Sequence, residues 1–398
     1  MLLANRKRKR CLKGLCVAVV MSGLIAGCAT SDEPKKSAAL LHRYVDNQGG
    51  IDGLDNVRRL LFDDTDKVLY AVSADDDALT AYRVGDDHSL TMLDMMSGER
   101  AGGMLIGASD MTFVGADRDI QVVSFYSGAV AQFRLGRNDT LTLQSGLSDR
   151  IDIQRVFRQG KPISTQEDKL ALLGPYAIVG DAAGISYVAA NVSQALVQLT
   201  STQGQLSTRQ TIRAKDVNAL GGAVSVAQSD SGQKVAVAGM QANQIALFEV
   251  SGSQPLKLQQ TLSIGHQRAL IEPVLVTFVP GTERLLVADK QSVFAYSPDP
   301  QGNYTSSTEL KVSDNQKLSA VSRLAFDSAG QCMLAMSESA DQVHIFKRHG
   351  DTHWLHESQL DIGGGQAPTS AAFISQDKVA ISFAKSDAIQ IYTNVCGQ

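Results

Sequence analysis

The chain has 398 residues, 43% of them hydrophobic, and a formal net charge of −4. This composition is ordinary for a globular protein, and the excess of acids over bases argues against nucleic acid or an anionic membrane face as a partner. Short apolar runs alternate with clusters of Gly, Ser, Asp and Asn, and long helical periodicity is missing. The pattern predicts an all-β fold.

The first 28 residues have the pattern of a secretory leader. Arg6–Lys13 carries six cations and no acid, and Leu15–Ile25 is an apolar stretch of 11 residues, too short to span a bilayer. The stretch leads into Leu24–Cys28, LIAGC, which resembles the lipobox of bacterial lipoproteins. The resemblance implies that residues 1–27 are a signal peptide and that Cys28 is acylated. An ordinary signal peptide with an incidental cysteine is the alternative.

Cleavage before Cys28 would leave 31 basic and 41 acidic residues, a formal net charge of −10. The membrane contact of such an acidic chain would be its lipid. By the same resemblance, Ala29 after the lipidated cysteine favours the periplasmic face of the outer membrane over the inner membrane. Residues 28–38 are polar and include Pro34, which predicts a flexible tether. We therefore expect a lipid-anchored envelope protein that binds no nucleic acid.

Two cysteines, Cys332 and Cys396, remain beyond the leader and the lipid site. An oxidising compartment would oxidise a pair of suitable geometry. Two unrelated buried thiols are the favoured interpretation, and a disulfide is the alternative. No CxxC or Cys/His spacing predicts a metal site.

A repeated strand organises the rest of the chain. Asp75–Val84, DDDALTAYRV, is an acidic turn followed by an alternating strand with an aromatic residue near its end. Seven such strands recur 46 to 66 residues apart, and a period near fifty suits a radial array of four-stranded propeller blades. The sequence predicts one closed seven-bladed β-propeller domain over residues 39–398. The recurring position is occupied by Tyr82, Phe133, Leu199, Phe248, Tyr296, Phe346 and Tyr392.

Two repeats display the four-stranded plan of a blade most fully. Aligned on their turns, Arg59 of the first and Arg323 of the sixth occupy the same position. The predicted strands are Val57–Phe62, Val68–Val72, Ala78–Val84 and Leu90–Met95 in the first repeat, and Val321–Phe326, Cys332–Met336, Gln342–Lys347 and His353–Leu360 in the sixth.

The last repeat ends three strands into its blade. We expect Ala39–Asn47, a strand-like run before the first repeat, to supply the missing outer strand and close the ring. The alternative is that this run belongs to the tether. A long gap between the second and third repeats contains an insertion at about residues 150–169, rich in basic residues. A functional loop, a decorated surface loop and a second outer hairpin are all consistent with it.

The repeats resemble those of bacterial lactonase-like (6-phosphogluconolactonase-like) seven-bladed propellers. Gly363–Phe373 matches the segment that leads into a blade in that family. The resemblance covers about residues 53–396, and several turns lack the family's Pro-Asp-Gly core. The resemblance implies the fold of a family that includes sugar-lactone hydrolases and many proteins that resemble binding proteins. The matching turns are Asp63–Lys67, Ser229–Lys234 and Ser375–Lys378, and the matching second strands are Val68–Val72 and Ile185–Ala189.

Loops that lead into the innermost strands should meet at the central channel of a propeller. The densest titratable group in these loops is His266, Arg268 and Glu272. In a lactonase, His266 or Glu272 would be the base that activates water, and Arg268, Arg59 and Arg323 would stabilise the oxyanion. The alternative is a solvated loop with channel arginines paired to acids.

No cofactor and no metal is predicted. His349, His353 and His356 are close in sequence, but His353 and His356 would point to opposite faces of one strand. Because no coherent catalytic constellation is present, we expect a non-enzymatic scaffold for an envelope protein or a small ligand. The alternative is a periplasmic hydrolase of sugar lactones at the channel mouth.

Overall fold

The repeated strands assemble into seven sheets of four antiparallel strands, one sheet to a blade, which confirms the predicted seven-bladed propeller. The computed structural model describes residues 37–160, 164, 166–252, 254–350 and 353–397. The leader and Cys28 lie outside these residues. Blades 1 to 3 comprise Val57–Asp63, Val68–Ser73, Ala78–Val84 and Leu90–Met96, then Ala108–Val114, Asp119–Ser124, Ala129–Leu135 and Leu141–Ser148, then Pro175–Gly180, Ile185–Ala190, Ala195–Thr202 and Gln205–Arg213. Blades 4 to 6 comprise Ala223–Gln228, Lys234–Gly239, Gln244–Glu249 and Lys257–Leu262, then Leu275–Phe278, Leu285–Ala288, Val293–Pro298 and Tyr304–Glu309, then Arg323–Phe326, Cys332–Ser337, Gln342–His349 and His353–Gln359.

Blade 7 takes its outer strand from the other end of the chain. Its first three strands are Pro368–Phe373, Lys378–Phe383 and Ala388–Thr393. Ala39–Val45 pairs antiparallel with Ala388–Thr393 and completes the sheet. This pairing confirms the predicted ring closure and covers a strand edge that would otherwise be exposed.

Apolar packing between neighbouring blades forms the core. The second and third strands of each blade are buried on both faces along most of their length, and the inner strands are partly buried. The described residues contain seven hydrophobic clusters, one at each interface between blades. The seven residues at the recurring position, from Tyr82 to Tyr392, are each at most 2% exposed. Burial of one such side chain stabilises the folded protein by about 1.5–3 kcal/mol. The repeat period therefore corresponds to one buried residue at each interface between blades.

Cys332 and Cys396 form a disulfide, so the favoured interpretation of two separate thiols is wrong. Cys332 begins the second strand of blade 6, and Cys396 follows the third strand of blade 7. Their Cα atoms are 6.0 Å apart, within the range that a disulfide requires. Packing of adjacent blades brings together two residues that are 64 positions apart in sequence.

The insertion between blades 2 and 3 contains a short helix, Ile153–Gln159, and its described residues form no outer hairpin. Ile153 is buried against the propeller, and Asp168 at the end of the insertion accepts hydrogen bonds from Arg213 and Ser193 at 2.7 and 2.8 Å. The insertion is therefore anchored at both ends. The remaining small elements are a 3-10 turn, Asn218–Leu220, and two short hairpins, Ile264–Gly265 with Arg268–Ala269 and Lys311–Ser313 with Gln316–Lys317.

Candidate functional site

A funnel opens on the propeller axis at the end where the inner strands begin. It has a volume of about 900 Å³ and is lined by the first residues of the inner strands and by the turns after the second strands. In blades 1, 2, 3, 4 and 7 a β-bulge near the start of the inner strand directs one residue to this lining. In blades 5 and 6 the residue just before the inner strand takes that place. The seven residues are Arg58, Ser109, Tyr176, Val224, Val274, Ser322 and Thr369.

Hydroxyl groups among these residues connect neighbouring blades. Ser109 Oγ donates a hydrogen bond to the Pro175 carbonyl at 3.1 Å, and Thr369 Oγ1 donates to the Val57 carbonyl at 2.6 Å. Each bond joins the inner strand of one blade to that of the next. The wall of the funnel is therefore held by hydrogen bonds between rigid strands, which suits a preformed binding site.

Arg58 reaches across the funnel from blade 1. It forms a bidentate ion pair with Glu338 of blade 6, at 2.9 and 3.1 Å, and interacts with the Tyr176 hydroxyl of blade 3. Burial would lower the pKa of Arg58, but the Glu338 carboxylate and the Tyr176 hydroxyl outweigh this effect and raise the pKa. One guanidinium thus fixes the relative positions of three blades.

Aromatic side chains form one side of the funnel. Phe125 and Tyr126, after the second strand of blade 2, line it together with Tyr176. Phe125 makes edge contacts with Tyr126 and Tyr176, at centroid distances of 5.3 and 6.3 Å, and stacks on Phe157 of the insertion helix. Tyr126, Phe157 and Tyr176 are 44%, 57% and 43% exposed. We call these four residues the aromatic wall, and such an exposed apolar cluster is typical of an interaction site.

The side facing the aromatic wall carries unpaired positive charge. Arg323 of blade 6 and Lys385 of blade 7 line the funnel, and neither forms an ion pair with a described residue. Arg59, at the equivalent position of blade 1, has its Nε 3.2 Å from an Asp110 carboxylate oxygen. Burial and then repulsion by Arg323 lower the pKa of Arg59 to about 10, although Asp110 opposes the shift. Asp110 is the only carboxylate paired with either guanidinium group in the described part of the chain.

Arg268, one of the predicted site residues, is held in an ion pair behind the funnel wall. Its Nη1 and Nη2 donate to the two carboxylate oxygens of Asp289 at 2.7 and 2.8 Å, and its guanidinium lies over the Phe294 ring at 4.9 Å. The Asp289 side chain is fully buried. Burial would raise the pKa of Asp289, but hydrogen bonds from Arg268 and from backbone N–H groups lower it. This arrangement leaves Arg268 no free donor pair for an oxyanion.

Glu272 and His266, the predicted bases, lie in different places. Glu272 lines the funnel and its Oε2 accepts from Lys290 Nζ at 3.2 Å. His266 lies at the tip of a hairpin, with Nδ1 2.9 Å from the Ser307 carbonyl of the outer strand of blade 5, and it does not line the funnel. The structure therefore brings Glu272 and Arg323 into one cavity, places Arg59 and Arg268 beside it, and leaves His266 outside.

The bulge residues and the turns after the second strands supply most of the funnel but were not among the predicted site residues. Among the loops that lead into the inner strands, residues 99–103, 215–218 and 316–319 do not line it. One signal for the bulge residues was present in the sequence. Polar or aromatic residues such as Arg58, Ser109 and Tyr176 stand near the start of inner strands that are otherwise predominantly apolar.

No three His, Cys, Asp or Glu side chains among the described residues meet in a geometry that could hold a metal. His356 instead contacts His344 within blade 6, with 3.1 Å between ring nitrogens. In the same part of the chain, no helix is long and apolar enough to cross a membrane.

Comparison with known proteins finds no matching family model and no matching curated protein, but it finds many similar solved structures. A Bacteroides fragilis protein provisionally named a 6-phosphogluconolactonase is 12% identical, with a TM-score of 0.61 over 83% of this chain and 89% of that one. A Bacteroides uniformis protein of the same provisional name is 12% identical, with a TM-score of 0.59 over 82% and 89%. Virginiamycin B lyase from Staphylococcus aureus is 10% identical, with a TM-score of 0.59 over 90% and 99%. At these identities the likeness concerns the fold alone: the chain is a seven-bladed β-propeller.

Proposed function

We propose that this protein is a binding propeller of the bacterial envelope that takes an anionic group of a small ligand or protein partner into the funnel. The observation that carries the proposal is the unpaired charge of Arg323 next to Arg59, facing the aromatic wall. An anion between the two guanidinium groups would relieve their repulsion through charge-assisted hydrogen bonds. The exposed rings would pack against an apolar or planar part of the same ligand.

The state of the predicted catalytic groups supports binding over hydrolysis. A general base must be within hydrogen-bond reach of the water that it deprotonates. Glu272 is paired with Lys290, and His266 lies outside the funnel against the Ser307 carbonyl. An oxyanion also needs donors that are free to receive it, and the Arg268 guanidinium is engaged with Asp289.

The proposal includes a lipid anchor on Cys28, with Ala29 after it favouring the outer membrane. A tether of residues 28–38 spans at most about 40 Å when extended, so the propeller would stay close to the membrane surface. Metabolic labelling with an alkyne palmitate analogue tests the anchor. We expect label in the wild-type chain at the outer membrane and none in Cys28→Ala. Equal labelling of both forms would refute acylation at Cys28.

Crosslinking in intact cells, followed by affinity capture, tests the funnel. Three forms are compared: wild type, Arg323→Ala, and Lys257→Ala, which removes an exposed cation on the outer strand of blade 4. We expect a captured partner or ligand whose yield falls at least tenfold in Arg323→Ala and is unchanged in Lys257→Ala. Equal capture by all three forms would contradict binding through the funnel.

The fold likeness to proteins provisionally named 6-phosphogluconolactonases supports a second candidate, hydrolysis of a sugar lactone in the funnel. Glu272 would then be the base, and Arg323 would receive the oxyanion. Purified protein is assayed with 6-phosphogluconolactone and glucono-δ-lactone. Turnover that is lost in Glu272→Gln and Arg323→Ala but kept in Lys257→Ala would favour lactone hydrolysis over binding.

A further inference from the structure

Blade 2 fills its interface with blade 3 by a column of paired polar side chains. Gln121 accepts a hydrogen bond from Ser186 of blade 3 and donates to Gln132, at 2.6 and 3.1 Å. Gln132 in turn donates to Asp119 at 2.7 Å. Arg134 completes the column with two hydrogen bonds to the Asp119 carboxylate, the longer at 2.9 Å. The carboxamide oxygens of Gln121 and Gln132 therefore each accept a hydrogen bond. The Arg134 guanidinium lies at the outer end of the column.

Blade 3 lacks the same filling at the equivalent positions. Its second and third strands pair in the same register as those of blade 2, because Ser186 opposes Leu199 as Ile120 opposes Phe133. The register shows that the acid and the arginine of the column are both replaced. Ile185 stands in place of Asp119, Thr200 in place of Arg134, Tyr187 in place of Gln121, and Gln198 in place of Gln132.

An open groove of about 790 Å³ remains between blades 3 and 4, on the face opposite the funnel. We call it the blade 3–4 groove. Tyr187 and Gln198 lie at its floor and are 0% and 2% exposed. Gln198 Nε2 donates to the Tyr187 hydroxyl at 3.3 Å, but Gln198 Oε1 is buried and accepts no hydrogen bond from a described residue. An unpaired buried acceptor is costly, and a donor from a ligand would satisfy it.

Carboxylates at the mouth of the groove have no cationic partner among the described residues. Asp181 accepts hydrogen bonds only from two backbone N–H groups and from the Gln228 amide at 3.4 Å. Glu249 is exposed and forms no ion pair with a described residue. These two acids give the groove an excess of acceptors, as Asp119 does for Arg134 in blade 2.

Three cations lie near the groove, and none forms an ion pair with Asp181 or Glu249 among the described residues: Lys234, Arg209 and Lys257, which opposes Glu249 in the sheet. Lys234 lines the groove, but its ammonium lies 3.4 Å from Glu283 and over the Tyr304 ring at 5.2 Å, on the side of blade 5. The Arg209 guanidinium donates to the Gly252 carbonyl at 3.4 Å. None of the three donates a hydrogen bond to Gln198 Oε1 at the floor.

We propose that the blade 3–4 groove binds a guanidinium or alkylammonium group, which takes the position that Arg134 occupies in blade 2. The cation would meet Asp181 and Glu249 at the mouth and reach the Gln198 carboxamide at the floor. The aliphatic part of the ligand would lie along Ile185. An arginine side chain of a peptide and a free amine share this chemistry, and neither requires a ligand in the funnel on the opposite face.

Calorimetric titration of the purified full-length protein tests the groove with three probes: N-acetyl-arginine amide, its uncharged citrulline isostere, and spermidine. Two variants change the groove. Glu249→Gln removes one mouth charge, and Ile185→Asp with Thr200→Arg restores the acid–arginine pair of blade 2. Asp314→Asn is the matched control, because it removes an exposed acid far from the groove in sequence, on the hairpin after blade 5.

We expect saturable binding of the arginine probe or of spermidine, and their ratio distinguishes a peptide side chain from a free amine. Binding should weaken at least tenfold for citrulline and for Glu249→Gln, vanish in the double variant, and stay unchanged in Asp314→Asn. The proposal would be overturned if neither the arginine probe nor spermidine binds. It would also be overturned if the arginine and citrulline probes bind with equal affinity. If the double variant does not fold, Glu249→Gln still decides, because its side chain is exposed.

Discussion

The ion pair between Arg268 and Asp289 allows a structural role to be separated from a catalytic one. Arg268→Met keeps the length of the side chain and its packing on Phe294 but removes both guanidinium donors to the buried carboxylate. Asp289 would keep three backbone donors, the N–H groups of Ile271, Gln291 and Ser292, each at 2.9 Å. We therefore expect the variant to fold with reduced stability.

The expected cost follows from the burial of the two partners. Removing one partner of a buried ion pair costs about 3–5 kcal/mol, because it leaves an uncompensated charge. The Arg268 side chain is 26% exposed and the backbone donors remain, so we expect a loss of about 2 kcal/mol in the free energy of unfolding. The double variant Arg268→Met with Asp289→Asn removes the charge as well and should recover about half of this loss.

Urea unfolding at pH 7 measures these differences from the midpoint and slope of each transition. The acid dependence gives a second readout. The pKa of Asp289 is lowered in the folded protein, so its stabilising contribution is present above pH 4 or so and is lost as the pH falls through the folded pKa. In Arg268→Met this loss should begin at a higher pH. If Arg268→Met is as stable as the wild type yet loses a lactonase or binding activity, Arg268 acts in the funnel and our structural assignment is wrong.

Three further perturbations test other parts of the fold. Replacing both Cys332 and Cys396 by Ser opens a loop of 64 residues and should cost up to about 4 kcal/mol; an unchanged urea midpoint under non-reducing conditions would contradict this. Burial, together with nearby acids, raises the pKa of Asp76 to about 6, so its charge costs stability as the pH rises from about 4 to 6. Because Asp76 is only half-buried, Asp76→Asn should gain only about 1 kcal/mol at pH 7.5, and thermal unfolding that shows a loss there would refute the assignment. Deleting Ala39–Val45 uncovers the edge of blade 7 and should cause concentration-dependent association in light scattering, whereas a monomer of unchanged melting temperature would argue against a closing role.

The fold could be predicted because each blade repeats the same short sequence pattern. A short apolar strand, a polar turn and a buried residue at the recurring position suffice to define a blade, and the N-terminal run supplies the outer strand of the seventh copy. The disulfide was mispredicted because the distance between Cys332 and Cys396 depends on how blades 6 and 7 pack, which their spacing in sequence does not report. The insertion helix was not predicted because seven residues, Ile153–Gln159, give too short a periodic pattern.

The site was harder to predict because its residues are selected by backbone irregularities. A bulge turns one residue of an inner strand toward the axis, and Tyr176 reaches the funnel for this reason while its neighbours pack between blades. Spacing does not distinguish such a bulge from a regular strand, and the polar or aromatic residue near the start of an apolar strand is a weak signal for it. The aromatic wall also combines Phe125 and Phe157, which lie in separate segments and meet only through the insertion.

The pairing of charges around the ring explains why titratable residues close in sequence were a poor guide to the site. Equivalent positions of neighbouring blades lie side by side, so Arg59 of blade 1 meets Asp110 at the same position of blade 2. Arg323 holds that position in blade 6, but the equivalent residue of blade 7 is Ser370, which offers no charge. A charged residue on an inner strand is therefore best judged against the residue at the same position of the next blade. By this comparison Arg59 is paired within the ring, whereas Arg323 has no charged partner at the next blade and is the group that would bind the anion we propose.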